Sequence, residues 1–167
     1  AYIDNADWDY VRDTYTLGDE MNGAITTPKS IKEFTKKVCE QYSYEYDSFD
    51  ITGMWANKLE KGDTHPPHTH SNNIFSGVYY LEGGSQIQFF DPRPQANILK
   101  PNTTEDNFDN SSMLAFSSEK GVGLIFPSWL QHWVPQNISD KNRISIAWNV
   151  QLKGQVGEHH EYQSANF

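Results

Sequence analysis

From residue 48 onward the chain is a succession of short extended segments cut by turn residues, and this pattern confines it to β-layer architectures. "DITGMWANKL" (50–59), "NIFSGVYYLE" (73–82), "SQIQFFD" (85–91), "GVGLIFP" (121–127) and "NRISIAWNVQL" (142–152) are rich in β-branched and aromatic residues. Gly, Pro, Asn and Asp punctuate them. Many short strands with turns predict a sandwich or jelly roll. "EGGS" (82–85) predicts a tight hairpin turn joining the strands beside it. The polar stretch from about 92 to 118, with Pro92, Pro94 and Pro101, predicts a long loop that could close as a lid.

One segment breaks the extended pattern. "TPKSIKEFTKKVCEQYSYEY" (27–46) has Thr27 as an N-cap, Pro28 at the first helical position, and Ile31, Phe34, Val38 and Tyr42 at helical spacing. The fold class expected is therefore mainly β (α+β), a jelly roll with an N-terminal helix. With 167 residues, one domain is expected: a helical or irregular extension (1–49), a barrel core (50–152) and a tail (153–167).

Strand parity divides the last long segment. Ile144, Ile146, Trp148, Val150 and Leu152 share one face, which reads as core. Arg143, Ser145, Ala147, Asn149 and Gln151 share the other, which is either plain surface or the lining of a polar cavity. In a cavity, Arg143 and Ser145 would point together at an anion, because guanidinium pairs bidentately with carboxylate.

Charge narrows the partners. The net charge is −9 and no basic face is visible, which argues against nucleic acid. No apolar run reaches the length of a membrane span, and the lone cysteine, Cys39, forms no internal disulfide and reads as a small buried residue. A cytoplasmic setting is expected (the host cytoplasm, if a phage encodes the chain). The aromatics Trp8, Tyr10 and Tyr15 read as packing or as a subunit interface, which would suit a homodimer.

The histidines carry the chemistry. Half of the six fall within "HPPHTH" (65–70). His68 and His70, two apart in an extended segment, project to the same side and can chelate one ion. His132 in "FPSWLQHWVP" is the best third ligand. His65, held by the stiff Pro66-Pro67 pair, could be a fourth ligand, a support for the ligands or a substrate contact. Asp91 could also complete the site. His159 and His160 read as surface residues of the tail. In "FDPRPQ" (90–95), Asp91-Pro92-Arg93 is either turn chemistry or a site where Arg93 holds an acidic substrate group.

The order H-x-H, strand, distal His, then Arg resembles that of the Fe(II)- and 2-oxoglutarate-dependent oxygenases, which fold as a double-stranded β-helix. More closely, "WAN" (55–57), "HPPHTH" (65–70), "SGVYYL" (76–81), "DPR" (91–93), "FPSWLQHWV" (126–134) and "RISIAWN" (143–149) resemble the signature of a small oxygenase family of bacteria and phages. The resemblance implies Fe(II) and 2-oxoglutarate as cofactors, with His68, His70 and His132 on the iron. His70 stands where most relatives of the wider group have Asp or Glu. Arg143 would pair with the distal carboxylate of 2-oxoglutarate, with Ser145 and Tyr80 bonding the same group; Tyr79 is the rival of Tyr80. Asn57 and Asn149 would be further cosubstrate contacts. The implied reaction is hydroxylation of a small-molecule or peptide substrate with release of succinate and CO2. The alternatives are a cupin-like metalloenzyme that does not use 2-oxoglutarate, and a non-catalytic binding module.

Overall fold

In the computed structural model, residues 2–3, 28–93, 95, 98–157 and 164–167 are described. Thr27, Trp8, Tyr10, Tyr15, His159 and His160 lie outside them. The elements in chain order are β1 (Tyr2–Ile3), α1 (Pro28–Gln41), β2 (Ser48–Leu59), β3 (His65–His68), β4 (Phe75–Glu82), β5 (Ile87–Phe90), β6 (Met113–Phe116), β7 (Gly123–Pro127), β8 (His132–Val134), β9 (Arg143–Lys153), β10 (Gln155–Val156) and β11 (Ala165–Asn166).

The strands form a five-stranded sheet, β1-β2-β9-β4-β7, and a four-stranded sheet, β3-β8-β5-β6, with β10 and β11 as a separate ribbon. The pairings between neighbouring strands are antiparallel. This is the jelly-roll arrangement expected.

The helix is shorter than its apolar pattern predicts. It ends at Gln41 because Ser43 adopts a left-handed φ of 54°. Tyr44 N–H then donates to Cys39 O, and Ser43 N–H to Glu40 O, which satisfies the last carbonyls as a Schellman cap. Tyr44 leaves the helix axis and stacks on Phe75, 6.0 Å between ring centroids.

The two faces of β9 explain the layering. Ile144, Ile146, Trp148, Val150 and Leu152 are buried with Ile31, Val38 and Cys39 of α1 and with Phe75, Tyr79 and Leu81 of β4. Arg143 and Ser145, on the other face, are just as buried, 2% and 1% exposed. That face is the cavity lining, not plain surface. A second cluster on this side joins Leu59, Val78, Tyr80, Ile87, Phe89, Phe126 and Val134. The five-stranded sheet is thus covered on both sides, which is why β4 is buried at seven successive positions.

Two expectations are corrected. "EGGS" is not a hairpin turn, because β4 pairs with β7 and β9 whereas β5 pairs with β6 and β8. It carries the chain from one sheet to the other. Its glycines serve close approach: a Cβ on Gly84 would lie 2.8 Å from Arg143 Cβ, and one on Gly83 would lie 3.0 Å from Ser118 O. The segment from 92 to 118 is not all loop either. Met113–Phe116 is an edge strand, masked in the sequence by the polar residues that flank it.

Candidate metal and cosubstrate site

β3 and β8 bring the histidines together. His68 and His132 are direct cross-strand partners, so their imidazoles leave the sheet on one face. Pro66 and Pro67 lack N–H donors and lie in an edge strand, in the stretch between His65 and His68 where the pairing register shifts. His70 follows the strand end, anchored by its N–H to Ser128 O at 2.9 Å and with the Trp55 ring 5.9 Å away. Ring centroids are 4.3 Å apart for His68–His132, 5.0 Å for His68–His70 and 5.2 Å for His70–His132. One nitrogen from each lies within 4.8 Å of the others, close enough to share one ion.

Backbone carbonyls set the tautomers. His68 Nδ1 is 2.8 Å from Pro66 O, and His132 Nδ1 is 2.9 Å from Leu130 O. A carbonyl only accepts, so both Nδ1 atoms carry a proton, and in the neutral ring this tautomer leaves the lone pair on Nε2. This is how metal-ligating imidazoles are oriented. Burial lowers the pKa of His132 to about 4, against the opposing carbonyl bond; burial, then the neighbouring imidazoles, lowers His70 to about 4. Neutral imidazole, the ligating form, therefore prevails near pH 7. The rings of Phe126 and Phe89 stand 4.8 Å and 5.6 Å from that of His132.

From these histidines a narrow cavity runs to β9, lined among others by Asn57, His65, Arg143 and Ser145, with no carboxylate among its lining residues. The register puts Asn57 and Tyr80 on either side of Ser145. Arg143 donates through Nε to Ser85 O at 3.0 Å and through Nη1 to Ser145 Oγ at 3.4 Å, and its guanidinium sits 4.9 Å from the Tyr80 ring centroid. Tyr80 Oη is buried and makes no well-formed hydrogen bond, with the Arg143 guanidinium as its polar neighbour. Burial raises the Tyr80 pKa, opposed by the Arg143 charge and by the polar contact with its guanidinium, so the hydroxyl keeps its proton. Of the two rivals, Tyr80 packs with the cavity-side cluster and Tyr79 with the helix-side one.

Other predicted positions fall elsewhere. Asn149 is absent from the cavity wall, and its Oδ1 accepts from Ser76 Oγ at 2.7 Å. Since Ser76 has one proton, Ser128 Oγ, 2.8 Å away, must donate to it. His65 lines the cavity, 5.3 Å from His68, and stays outside the three-histidine cluster. Asp91 also stays outside that cluster. It is gripped by Arg93 at 3.0 Å through Nε and 3.0 Å through Nη2, so "DPR" is turn chemistry and the Arg93 charge is already paired. Sequence reasoning missed Trp55, Phe89, Phe126 and Gly84. Gly84 carried a signal as a glycine pair between two strands, and Trp55 and Phe126 open the motifs "WAN" and "FPSWLQHWV".

Comparison with known proteins agrees with this geometry. The family model described as "Putative 2OG-Fe(II) oxygenase" matches residues 53–149. Among solved structures, an oxidoreductase of the 2OG-Fe(II) oxygenase family from Burkholderia pseudomallei superposes with a TM-score of 0.56 at 13% identity, over 76% of this chain and 54% of that one. A Pseudomonas putida prolyl-4-hydroxylase gives 0.56 at 12% identity, over 89% and 79%. The non-heme alpha ketoglutarate dependent epimerase SnoN of nogalamycin biosynthesis gives 0.58 at 11% identity, over 96% and 64%. The chain thus spans about half the length of the Burkholderia protein. No curated protein sequence matches it. These structural likenesses are likenesses of fold, whereas the sequence match covers more than half of the chain and includes all three clustered histidines and Arg143: the chain belongs to the 2OG-Fe(II) oxygenases, whose cofactors are Fe(II) and 2-oxoglutarate.

Proposed function

We propose that this protein is an Fe(II)- and 2-oxoglutarate-dependent hydroxylase of a small-molecule substrate. His68, His70 and His132 would hold the iron, and Arg143 the far carboxylate of 2-oxoglutarate. The observation that carries the reading is Tyr80 Oη, buried without a well-formed hydrogen bond beside an Arg143 that meets no carboxylate among the described residues. Leaving a buried polar group unsatisfied costs roughly 1–3 kcal/mol. A carboxylate entering the cavity would accept from Tyr80 and Arg143 together. Ser145 Oγ accepts from Arg143, which leaves its own proton free for the same anion. Asn57, one strand over, adds an amide to that end.

When bound, iron and 2-oxoglutarate supply the oxidising power that hydroxylates a C–H bond, with succinate and CO2 as co-products. The chain's own residues supply the geometry. The carbonyls of Pro66 and Leu130 fix two imidazoles before any metal arrives. Phe89 and Phe126 shield His132 from water. Three neutral imidazoles bring no negative charge, so the metal would keep its full charge and, with Arg143, favour a dianion.

Anaerobic titration of 2-oxoglutarate into the Fe(II)-loaded protein tests this. Truncating one partner of a buried charge pair costs about 2–5 kcal/mol, so Arg143→Ala should weaken 2-oxoglutarate by roughly 30-fold to 1000-fold or more, with Fe(II) affinity retained. Unchanged 2-oxoglutarate affinity would remove the cosubstrate assignment. Succinate formed from 2-oxoglutarate with Fe(II) and ascorbate would establish catalysis.

A further inference from the structure

A second cavity, of about 570 Å³, lies beside the histidine cluster, where the edge strands β6 and β7 leave a seam between the two sheets. We infer that it holds the apolar part of the substrate, a small molecule uncharged over that part. This rests on the oxygenase reading and extends it to substrate class.

Four observations support it. The volume falls within the roughly 300–1000 Å³ of small-molecule sites. The lining is dominated by Phe90, Phe108, Leu114, Phe116, Leu124 and Leu130. The cavity adjoins the metal site: Phe89 and Phe126 line it, and the same two rings stand against His132 as the wall between them. A group held there lies across those two rings from His132, so a small movement of Phe89 or Phe126 would bring it to the ion the histidines would hold. Finally, the rim is unsuited to an anion. Its one cation, Arg93, is forked onto Asp91, and Asp109 adds a second negative charge. An acidic group would meet an arginine already paired and two aspartates, whereas an uncharged ring or chain meets aromatic surface. Phe108, 75% exposed, and Phe116, 40% exposed, present apolar area that such an occupant would cover.

The probe is 4-fluorobiphenyl, followed by ¹⁹F NMR on the whole protein, with Mn(II) in place of Fe(II). Saturable binding at one site is expected, with the fluorine signal broadened by Mn(II). Leu114→Trp fills the cavity from an edge strand and should weaken the probe at least about tenfold, while Leu114→Ala keeps it within a few-fold. Unaltered Mn(II) affinity in Leu114→Trp would show that the fold is intact. His132→Ala should abolish the broadening and retain the probe. The biphenyl carrying a carboxylate should bind about tenfold more weakly than the neutral one. A probe that ignores Leu114→Trp, binds without broadening, or prefers the carboxylate would overturn the inference. If the wild type takes up no Mn(II), the metal reading itself falls and the substrate assignment with it, while occupancy of the cavity by the probe stands as a separate result.

Discussion

The five-stranded sheet holds its functional side chains by register. Asn57, Ser145 and Tyr80 stand in a row because three strands of eight or more residues pair across it. The four-stranded sheet works with strands of three or four residues. Its histidines are held by single backbone carbonyls and a few ring contacts. The proposed cosubstrate end is therefore built into the core, and the proposed metal end is mounted on short strands, one of them an edge. Damage to the first should be felt as lost stability or lost anion affinity, and damage to the second as lost metal affinity in a folded protein.

The sharpest break in this comparison is His132→Ala. It removes one of the three histidines proposed to hold the metal, and Fe(II) affinity should fall by more than the roughly 100-fold that loss of a mere supporting partner causes. Thermal unfolding of the metal-free protein should change far less. A folded variant that still binds Fe(II) normally would place the metal elsewhere.

On the other sheet, Gly77→Ala should do the reverse. Its Cβ would lie 2.2 Å from the Trp148 ring, across the β4–β9 pair. Overpacking of this kind costs about 1–3 kcal/mol. Urea unfolding should show the loss, and an unchanged midpoint would mean that Trp148 has room the packing denies it.

Acid separates the two ends as well. His70 and His132 fall from an ordinary 6.5 to about 4 on folding. Between those values the unfolded chain takes up protons that the folded chain refuses, so stability of the metal-free protein falls as pH drops through that window. His132→Ala should flatten the slope; an equally steep slope would shift the acid sensitivity to other groups.

The smallest effect is also the most diagnostic. Tyr80→Phe removes an unsatisfied hydroxyl and should leave the free protein as stable or more so, by up to about 1 kcal/mol. It should also weaken 2-oxoglutarate by roughly two- to tenfold, one ordinary hydrogen bond. Reduced stability with unchanged affinity would make the hydroxyl a structural group.

Much of this was legible in the chain. Five strand segments and the helix were visible from periodicity, and His68, His70 and His132 from spacing and order. The resemblance names Tyr80 with Tyr79 as its rival, and the two packing clusters separate them. What escaped had no local signal. β6 is four residues inside a polar stretch, and β8 is three residues beyond a turn. "EGGS" carries hairpin chemistry, yet which sheet the next strand joins is decided by partners far along the chain. Asn149 sits on the correct face of β9, but Ser76 across the strand pair takes up its carbonyl.

The sequence by itself determined the alternation of faces and the types of donor available, because both follow from local geometry and residue chemistry. Only the tertiary structure decided that the polar face of β9 is a cavity wall, that Arg93 is spent on Asp91, and that an apolar cavity adjoins the histidines. Those are facts of long-range packing. A residue's burial and charge balance depend on what the second sheet brings opposite it, and no window of neighbouring residues contains that information.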